Sequence, residues 1–305
     1  MTFPMQWGQR CMSVSLEPWD KPVMQKEELR IIAPGETPIM HELAQELSQL
    51  GSTVTHGMFE GRPTLKATNG KGYRDYVAGK RHLPIDYACL KDQPKKIGVF
   101  MADMDSTVIT AECIDEIADM LGIKEQVGAI TERSMRGELN FEESLRERVA
   151  LLKGATMDDL EFIWKHRIHL TEAIGKTVAS FKQQGAFCVI VSGGFTFFSK
   201  RVGEAAGFHE TRANELIIDG NQLTGKVCEP VLGREAKAES LAELSNIHAK
   251  DGQWRVCIGD GANDLAMIAD ADLGIAYMAK PAVEEAAPAR IKHTDHASAL
   301  FFTAL

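Results

Sequence analysis

Asp103 and Asp105 stand two residues apart at the end of the apolar run Val99-Phe100-Met101-Ala102, directly before the hydroxyl residues Ser106 and Thr107. On a strand, residues two apart share a face, so both carboxylates project together from its carboxyl end. Two like charges so close are costly unless a cation or a shared proton holds them. One reading is a magnesium-assisted site in which one aspartate attacks and the other moves a proton. The other is an ordinary solvated acidic turn.

Three later segments bear on that choice. Phe187-Cys188-Val189-Ile190-Val191 is a β-type run ending in Ser192-Gly193-Gly194, and a helix-like stretch from Thr196 to Ala206 follows. Small residues at a strand-to-helix turn let backbone N–H groups approach an anion, and Ser192 adds a hydroxyl donor. Lys237 sits near the start of a helix carrying Leu241 and Leu244. Val256-Cys257-Ile258-Gly259 is a further buried-type strand, followed by Asp260, Asn263 and Asp264. Each part has a plain alternative: Lys237 as a solvated helix residue, Ser192-Gly193-Gly194 as a simple turn, Asp264 as a helix cap. In this order they make a phosphoryl-transfer kit.

On the segments Asp103-Met104-Asp105-Ser106-Thr107, Ser192-Gly193-Gly194, Lys237 and Gly259-Asp260-Gly261-Ala262-Asn263-Asp264, the chain resembles the haloacid dehalogenase superfamily and, within it, the phosphoserine phosphatases. The resemblance covers roughly Lys96 to the C-terminus. It implies Asp103 as nucleophile and Asp105 as general acid and base. It also implies Mg2+ held by Asp103, Asp260 and the backbone carbonyl of Asp105, with Asp264 in support. Ser192, Gly193 and Lys237 would bind the phosphoryl group. Glu112 would accept a substrate ammonium, Arg148 would clamp its carboxylate, Met135 and Phe141 would cover the pocket, and Asn263 would complete the contacts. By spacing alone, Arg148 shares a helix face with Phe141 seven residues earlier, which an arginine flanking a buried stripe would also do. The implied reaction is Mg2+-dependent hydrolysis of O-phospho-L-serine through an aspartyl-phosphate, the last step of serine synthesis. Another small phosphomonoester or phosphorylated amino acid is the alternative substrate, and a slowly turning-over regulatory module is a reading from a different class.

These residues need a scaffold. From Ile97 onward, buried-type strands alternate with helices, which predicts a doubly wound parallel sheet with its ligand crevice at the strand ends. An all-helical insertion, about 113 to 179, separates the first two segments and reads as a cap. Within it, Asn140 to Lys153 carries Phe141, Leu145, Val149 and Leu152 as an apolar stripe. Asn214 to Val227 reads as a β-hairpin around Asp219-Gly220. Ahead of this phosphatase part (97 to 305), residues 29 to 92 follow a strand-helix-strand-strand-helix-strand order. This resembles a small ferredoxin-like ACT module, with Lys91 to Lys96 as linker. Residues 1 to 28 read as an N-terminal arm.

Composition narrows the partners. The 305 residues carry 34 Lys and Arg against 43 Asp and Glu, a net charge of −9 with no basic stripe for a nucleic-acid backbone. No apolar run approaches bilayer-spanning length and no signal pattern opens the chain, so no membrane partner is expected. The six cysteines, Cys11, Cys89, Cys113, Cys188, Cys228 and Cys257, show no metal or redox spacing, which favours the cytoplasm. A small-molecule substrate and a homodimer through the N-terminal module are the partners expected.

Overall fold

The computed structural model describes residues 27–305, so the expected N-terminal arm lies outside the described residues except for its last two. The first lobe runs β1 (Glu28–Ile32), α1 (Pro38–Gln49), β2 (Thr53–Phe59), β3 (Arg62–Thr68), α2 (Tyr73–Ala78) and β4 (Asp86–Leu90). Its antiparallel strands lie in the order β2-β3-β1-β4, the ferredoxin-like arrangement anticipated. Met40, Leu43 and Leu47 of α1 pack with Leu29, Ile31, Leu65 and Tyr87 in one buried cluster, while Leu50, next in the same spacing, lies past the helix end and is 64 % exposed.

The second lobe begins with β5 (Ile97–Ala102), which leads into four inserted helices: α3 (Cys113–Met120), α4 (Lys124–Met135), α5 (Phe141–Leu151) and α6 (Met157–His166). α7 (Ile174–Gln183) returns to the sheet, where Phe181 packs its ring 4.9 Å from that of Phe100. The inserted helices therefore end at His166, short of the position near Ala179 that the sequence suggested. Next come β6 (Phe187–Phe195), α8 (Thr196–Ala206), β7 (Glu210–Asn214) and the hairpin β8 (Leu216–Asp219) and β9 (Gln222–Val227). Gly220, at φ 60°, turns that hairpin. The chain closes with α9 (Arg234–His248), β10 (Trp254–Gly259), α10 (Leu265–Asp270), β11 (Leu273–Tyr277), α11 (Pro281–Ala286), β12 (Ala289–Ile291) and α12 (Ser298–Thr303). Six parallel strands lie in the order β12-β11-β10-β5-β6-β7. The central strands are largely apolar because helices bury both of their faces. β7, an outer strand reading Glu-Thr-Arg-Ala-Asn, has no such run to announce it.

The lobes share one sheet. β4 pairs antiparallel with β12, Ala88 opposite Ala289 and Tyr87 opposite Arg290, which makes ten strands continuous. Reciprocal buried bonds lock this seam. Arg290 donates to the carbonyls of Arg81 (2.9 Å), Leu83 (3.4 Å) and Ile85 (2.7 Å). Asp86, wholly buried, accepts from the amides of Lys292 (2.7 Å), His293 (3.1 Å) and Thr294 (2.8 Å) and from the Thr294 hydroxyl (2.6 Å). Arg30 donates to the Phe301 carbonyl at 2.6 Å. The segment from Lys91 to Lys96 thus links two bodies already joined by their backbones.

Two outcomes follow. Asp86→Ala would strand several buried donors and is expected to cost about 3 kcal/mol or more in urea unfolding. His296, also wholly buried, has its pKa pushed down to about 4 by burial, against the Thr107 carbonyl and the charge of Asp295. Below the ordinary histidine value the unfolded chain gains a proton that the folded chain refuses. This contribution is complete above about pH 6.5 and is lost as pH falls towards 4, at most about 3 kcal/mol. His296→Gln should flatten that part of the stability profile.

Candidate active site

Asp103 follows directly on β5, and its amide donates to the carbonyl of Ile258 on β10 at 3.0 Å, which fixes its place at the carboxyl edge of the sheet. The chain then makes one wide turn, with Ser106 at φ 55°, closed by the Ile109 amide on the Met104 carbonyl at 3.0 Å. A left-handed serine inside such a turn is strained backbone held by its surroundings. The Asp103 carboxylate accepts from the Met104 amide on Oδ1 (2.7 Å), while Oδ2 meets Lys237 Nζ at 2.7 Å and Asn263 Nδ2 at 3.4 Å.

Lys237 lies in the first turn of α9 and is 1 % exposed. Its ammonium also bonds Asp264 Oδ1 at 2.6 Å, and Asp264 Oδ2 accepts from the Gly261 amide at 3.0 Å. Burial acts to lower the Lys237 pKa, but Asp103 and Asp264 outweigh it and hold the value above the usual lysine range. The strand can end this close to Asp264 because residue 259 is glycine: a Cβ there would lie 2.4 Å from the Asp264 carboxyl. Asp260 accepts from the Thr107 hydroxyl at 3.3 Å.

One ammonium serves a cluster of acids. Ligand oxygens of Asp103, Asp260 and Asp264 lie within 4.8 Å of one another. Burial, with the charge of Asp103, pushes Asp264 up to about 7 despite Lys237. Burial, Asp103 and Glu112 push Asp260 up to about 6. An all-oxygen donor set with surplus negative charge fits a hard divalent cation. Asp264 gives one oxygen to Lys237 and the other to the Gly261 amide and so supports the lysine, while Asp103 and Asp260 complete the donor set beside it.

Asp105 accepts from the Cys113 amide at 3.1 Å. Burial, then the charges of Glu112 and Asp103, raise its pKa to about 8, which favours the protonated acid. A Cβ on Gly194 would lie 2.6 Å from Asp105 Oδ2 and 3.1 Å from Ser192 Oγ, so only glycine lets the Ser192 loop close on the acid pair. Ser192, 1 % exposed, accepts from the Gly194 amide at 2.9 Å. The inserted helices reach the same loop: a Cβ on Gly193 would meet Phe141 Cζ at 2.8 Å. Phe141 opens α5, where Asn140 and Glu143 cap each other's amides at 2.9 Å each.

At the border, Glu112 accepts from the Ser106 hydroxyl at 2.7 Å, and partial burial with the neighbouring acids raises its pKa. Arg148 is half-buried, its Nε on the Ser144 carbonyl at 3.3 Å. Burial lowers its pKa against the pull of Asp115, Glu112 and Asp105. Neither Glu112 nor Arg148 forms an ion pair among the described residues. Met135 is different, since it stands 73 % exposed at the end of α4 and joins no buried cluster. After Met135 the chain reverses through Gly137, at φ 78°, before α5 begins.

Two residues that motif reasoning passed over also shape the site. Asn214, buried at the end of β7, donates to the carbonyls of Gly193 (2.9 Å) and Leu232 (3.2 Å) and accepts from the Leu232 amide (2.7 Å). It ties the Ser192 loop to the approach to Lys237. No apolar run announces β7, so the sequence carried no signal for this asparagine. Lys280 is exposed; its amide donates to the Asp260 carbonyl at 3.1 Å, and its charge is felt by Glu112 and Asp260.

Residues 100–269 match the haloacid dehalogenase-like hydrolases. The phosphoserine phosphatase of Vibrio cholerae serotype O1 is 39% identical over 76% of this chain and 71% of its own length. The chain belongs to the phosphoserine phosphatase branch of the haloacid dehalogenase-like hydrolases. Within this branch it is a phosphatase. A crystal structure of a probable phosphoserine phosphatase from Vibrio cholerae, in unliganded form, superposes with TM-score 0.77 at 32% identity, covering 91% of this chain and 86% of that one. A phospho-aspartyl intermediate analogue of phosphoserine phosphatase matches 68% of this chain and 98% of its own, with TM-score 0.61 and 38% identity. No helix among the described residues is long and apolar enough to cross a membrane.

The glycine loop supplies a test for this phosphatase. Gly194→Ala should fold normally by circular dichroism yet lose at least about tenfold in kcat, because the methyl displaces Asp105 from the phosphoryl site.

Proposed function

We propose that this phosphatase hydrolyses O-phospho-L-serine to L-serine and phosphate, with Asp103 as nucleophile and Asp105 as general acid and base. The observation that carries the chemistry is the convergence of Asp103, Asp105, Ser192, Lys237 and Asp260 on one sheet edge. Asp103 attacks phosphorus as the bond to the serine oxygen breaks. Asp105, whose protonated form is favoured, gives its proton to that leaving oxygen. Asp105 then takes a proton from the water that attacks the aspartyl-phosphate, which releases phosphate and restores Asp103. Ser192, the Gly193 amide and Lys237 receive the phosphoryl oxygens, and Lys237 offsets the carboxylate charge around Asp103. Mg2+ is the proposed cofactor, held by Asp103, Asp260 and the carbonyl of Asp105, and it would screen the phosphoryl charge from the acids.

Substrate choice rests on Glu112 and Arg148. They are opposite charges at one border of the site, and neither forms an ion pair among the described residues, so a small zwitterion suits them. Phosphoserine offers an ammonium to the first and a carboxylate to the second, while Asn263 and Phe141 complete its enclosure. Met135 belongs to this set only if substrate draws the end of α4 inward. The five described cysteines are all free thiols, which supports a cytoplasmic setting for the last step of serine synthesis. A homodimer through the first lobe completes the proposal, and sedimentation equilibrium tests it.

Phosphate release from a panel of phosphorylated amino acids and sugars should show phosphoserine preferred, with activity abolished by chelation and restored by Mg2+. Asp103→Asn should remove turnover while the fold remains. Arg148→Ala should raise KM for phosphoserine by about thirtyfold, the worth of a charged bidentate contact, yet leave an aryl phosphate substrate nearly unaffected. Equal turnover of phosphoserine by that variant would assign the enzyme to another phosphomonoester.

A further inference from the structure

We propose that His296 is a positioning residue for the cation-binding carboxylates: its Nε2–H fixes the Thr107 peptide, and the Thr107 hydroxyl in turn holds Asp260. Thr107 lies two residues beyond Asp105 in the wide turn after β5, and it is wholly buried. Its carbonyl sits 2.9 Å from His296 Nε2 and 2.9 Å from the Thr171 hydroxyl, while its own hydroxyl reaches Asp260 Oδ1 at 3.3 Å. A carbonyl only accepts, so Nε2 must carry the hydrogen. Nδ1 then bears the lone pair, and it has no partner. The ring is thus a neutral imidazole in a single tautomer, lying 4.0 Å from the Tyr277 ring and nearly parallel to it.

What fixes His296 lies outside the phosphatase lobe. The strap from Lys292 to Ser298 is gripped by Asp86 of β4 through its amides, and Asp295 pairs with Arg62 of β3 and accepts from the Ala297 amide at 2.8 Å. Thr294 and Ser298 share a buried hydroxyl pair at 2.6 Å. A chain of short polar contacts therefore runs from the first lobe, through His296 and Thr107, to Asp260. A buried imidazole with one ring nitrogen left bare is costly as a packing element, whereas its donor is placed where the turn needs it. Only the last link rests on the proposal that Asp260 holds Mg2+.

Titration calorimetry of Mg2+ into the full, unliganded chain tests this independently of turnover. His296→Leu keeps bulk and removes the donor; it should weaken Mg2+ binding about fivefold, since Thr171 still holds the same carbonyl. The Mg2+ concentration for half-maximal phosphoserine hydrolysis should rise by the same factor, with KM for phosphoserine unchanged. His296→Gln can donate from about the place of Nε2 and should restore Mg2+ binding to the parental value. A packing role would lower Tm in both variants without that selective rescue. If the leucine variant does not fold, Thr107→Val, which removes the hydroxyl at the far end, must show the same weakening. Parental Mg2+ binding in a folded His296→Leu protein, or in Thr107→Val, overturns the proposal, as does a parent chain that binds no Mg2+. If the parent fails to hydrolyse phosphoserine while Mg2+ binding still depends on His296, the functional reading falls and this inference is supported.

Discussion

A lysine ammonium buried between two aspartates is the interaction on which the rest of this structure leans. Lys237 could not stay charged at 1 % exposure without Asp103 and Asp264, and those carboxylates could not sit so close without it. The three come from different places: the end of β5, the turn after β10 and the first turn of α9. Holding them together therefore fixes the relative heights of two neighbouring strands and the helix that covers them. The glycine at 259 follows from this contact, since any side chain there would strike the Asp264 carboxyl. So does the spare capacity of the site. Two of its carboxylates are consumed by the lysine, and what remains unbalanced is the charge that a divalent ion would meet.

Around that centre the site separates its two adjacent acids by environment. Asp103 is held by Lys237, Asn263 and a backbone amide. Asp105 has the Cys113 amide, but burial and the charges of Glu112 and Asp103 favour its protonated form. One strand end thus presents two acids in different surroundings side by side, as the proposed phosphoryl transfer to and from an aspartate would require. Asn214 and the capping of α5 do the quieter work of keeping the Ser192 loop and Phe141 in register with that pair.

Much of this could be read from residue order because the chemistry is carried by strand ends. β5, β6 and β10 are buried on both faces, so their apolar runs locate them, and the polar residue that breaks each run marks the crevice. The first lobe was legible for a similar reason, since Met40, Leu43 and Leu47 keep helical spacing after β1, a strand buried throughout. Features that depend on contacts more than 150 residues apart left no local trace. Neither the grip of Asp86 on the strap nor the Thr107 bond to Asp260 has a spacing to find. Asn214 and Lys280 escaped because a single polar residue after a strand has many possible uses.

The pairing of β4 with β12 has a consequence for the phosphatase lobe taken alone. β12 is only three residues long, and without its partner it would end the parallel sheet as an open row of amides and carbonyls. Such a margin invites pairing with any passing strand. The ferredoxin-like lobe is the neighbour that covers this margin. In the present chain that neighbour serves as a permanent guard rail, and the exposed margin is moved outward to β2, where Thr53, Thr55 and His56 keep it polar.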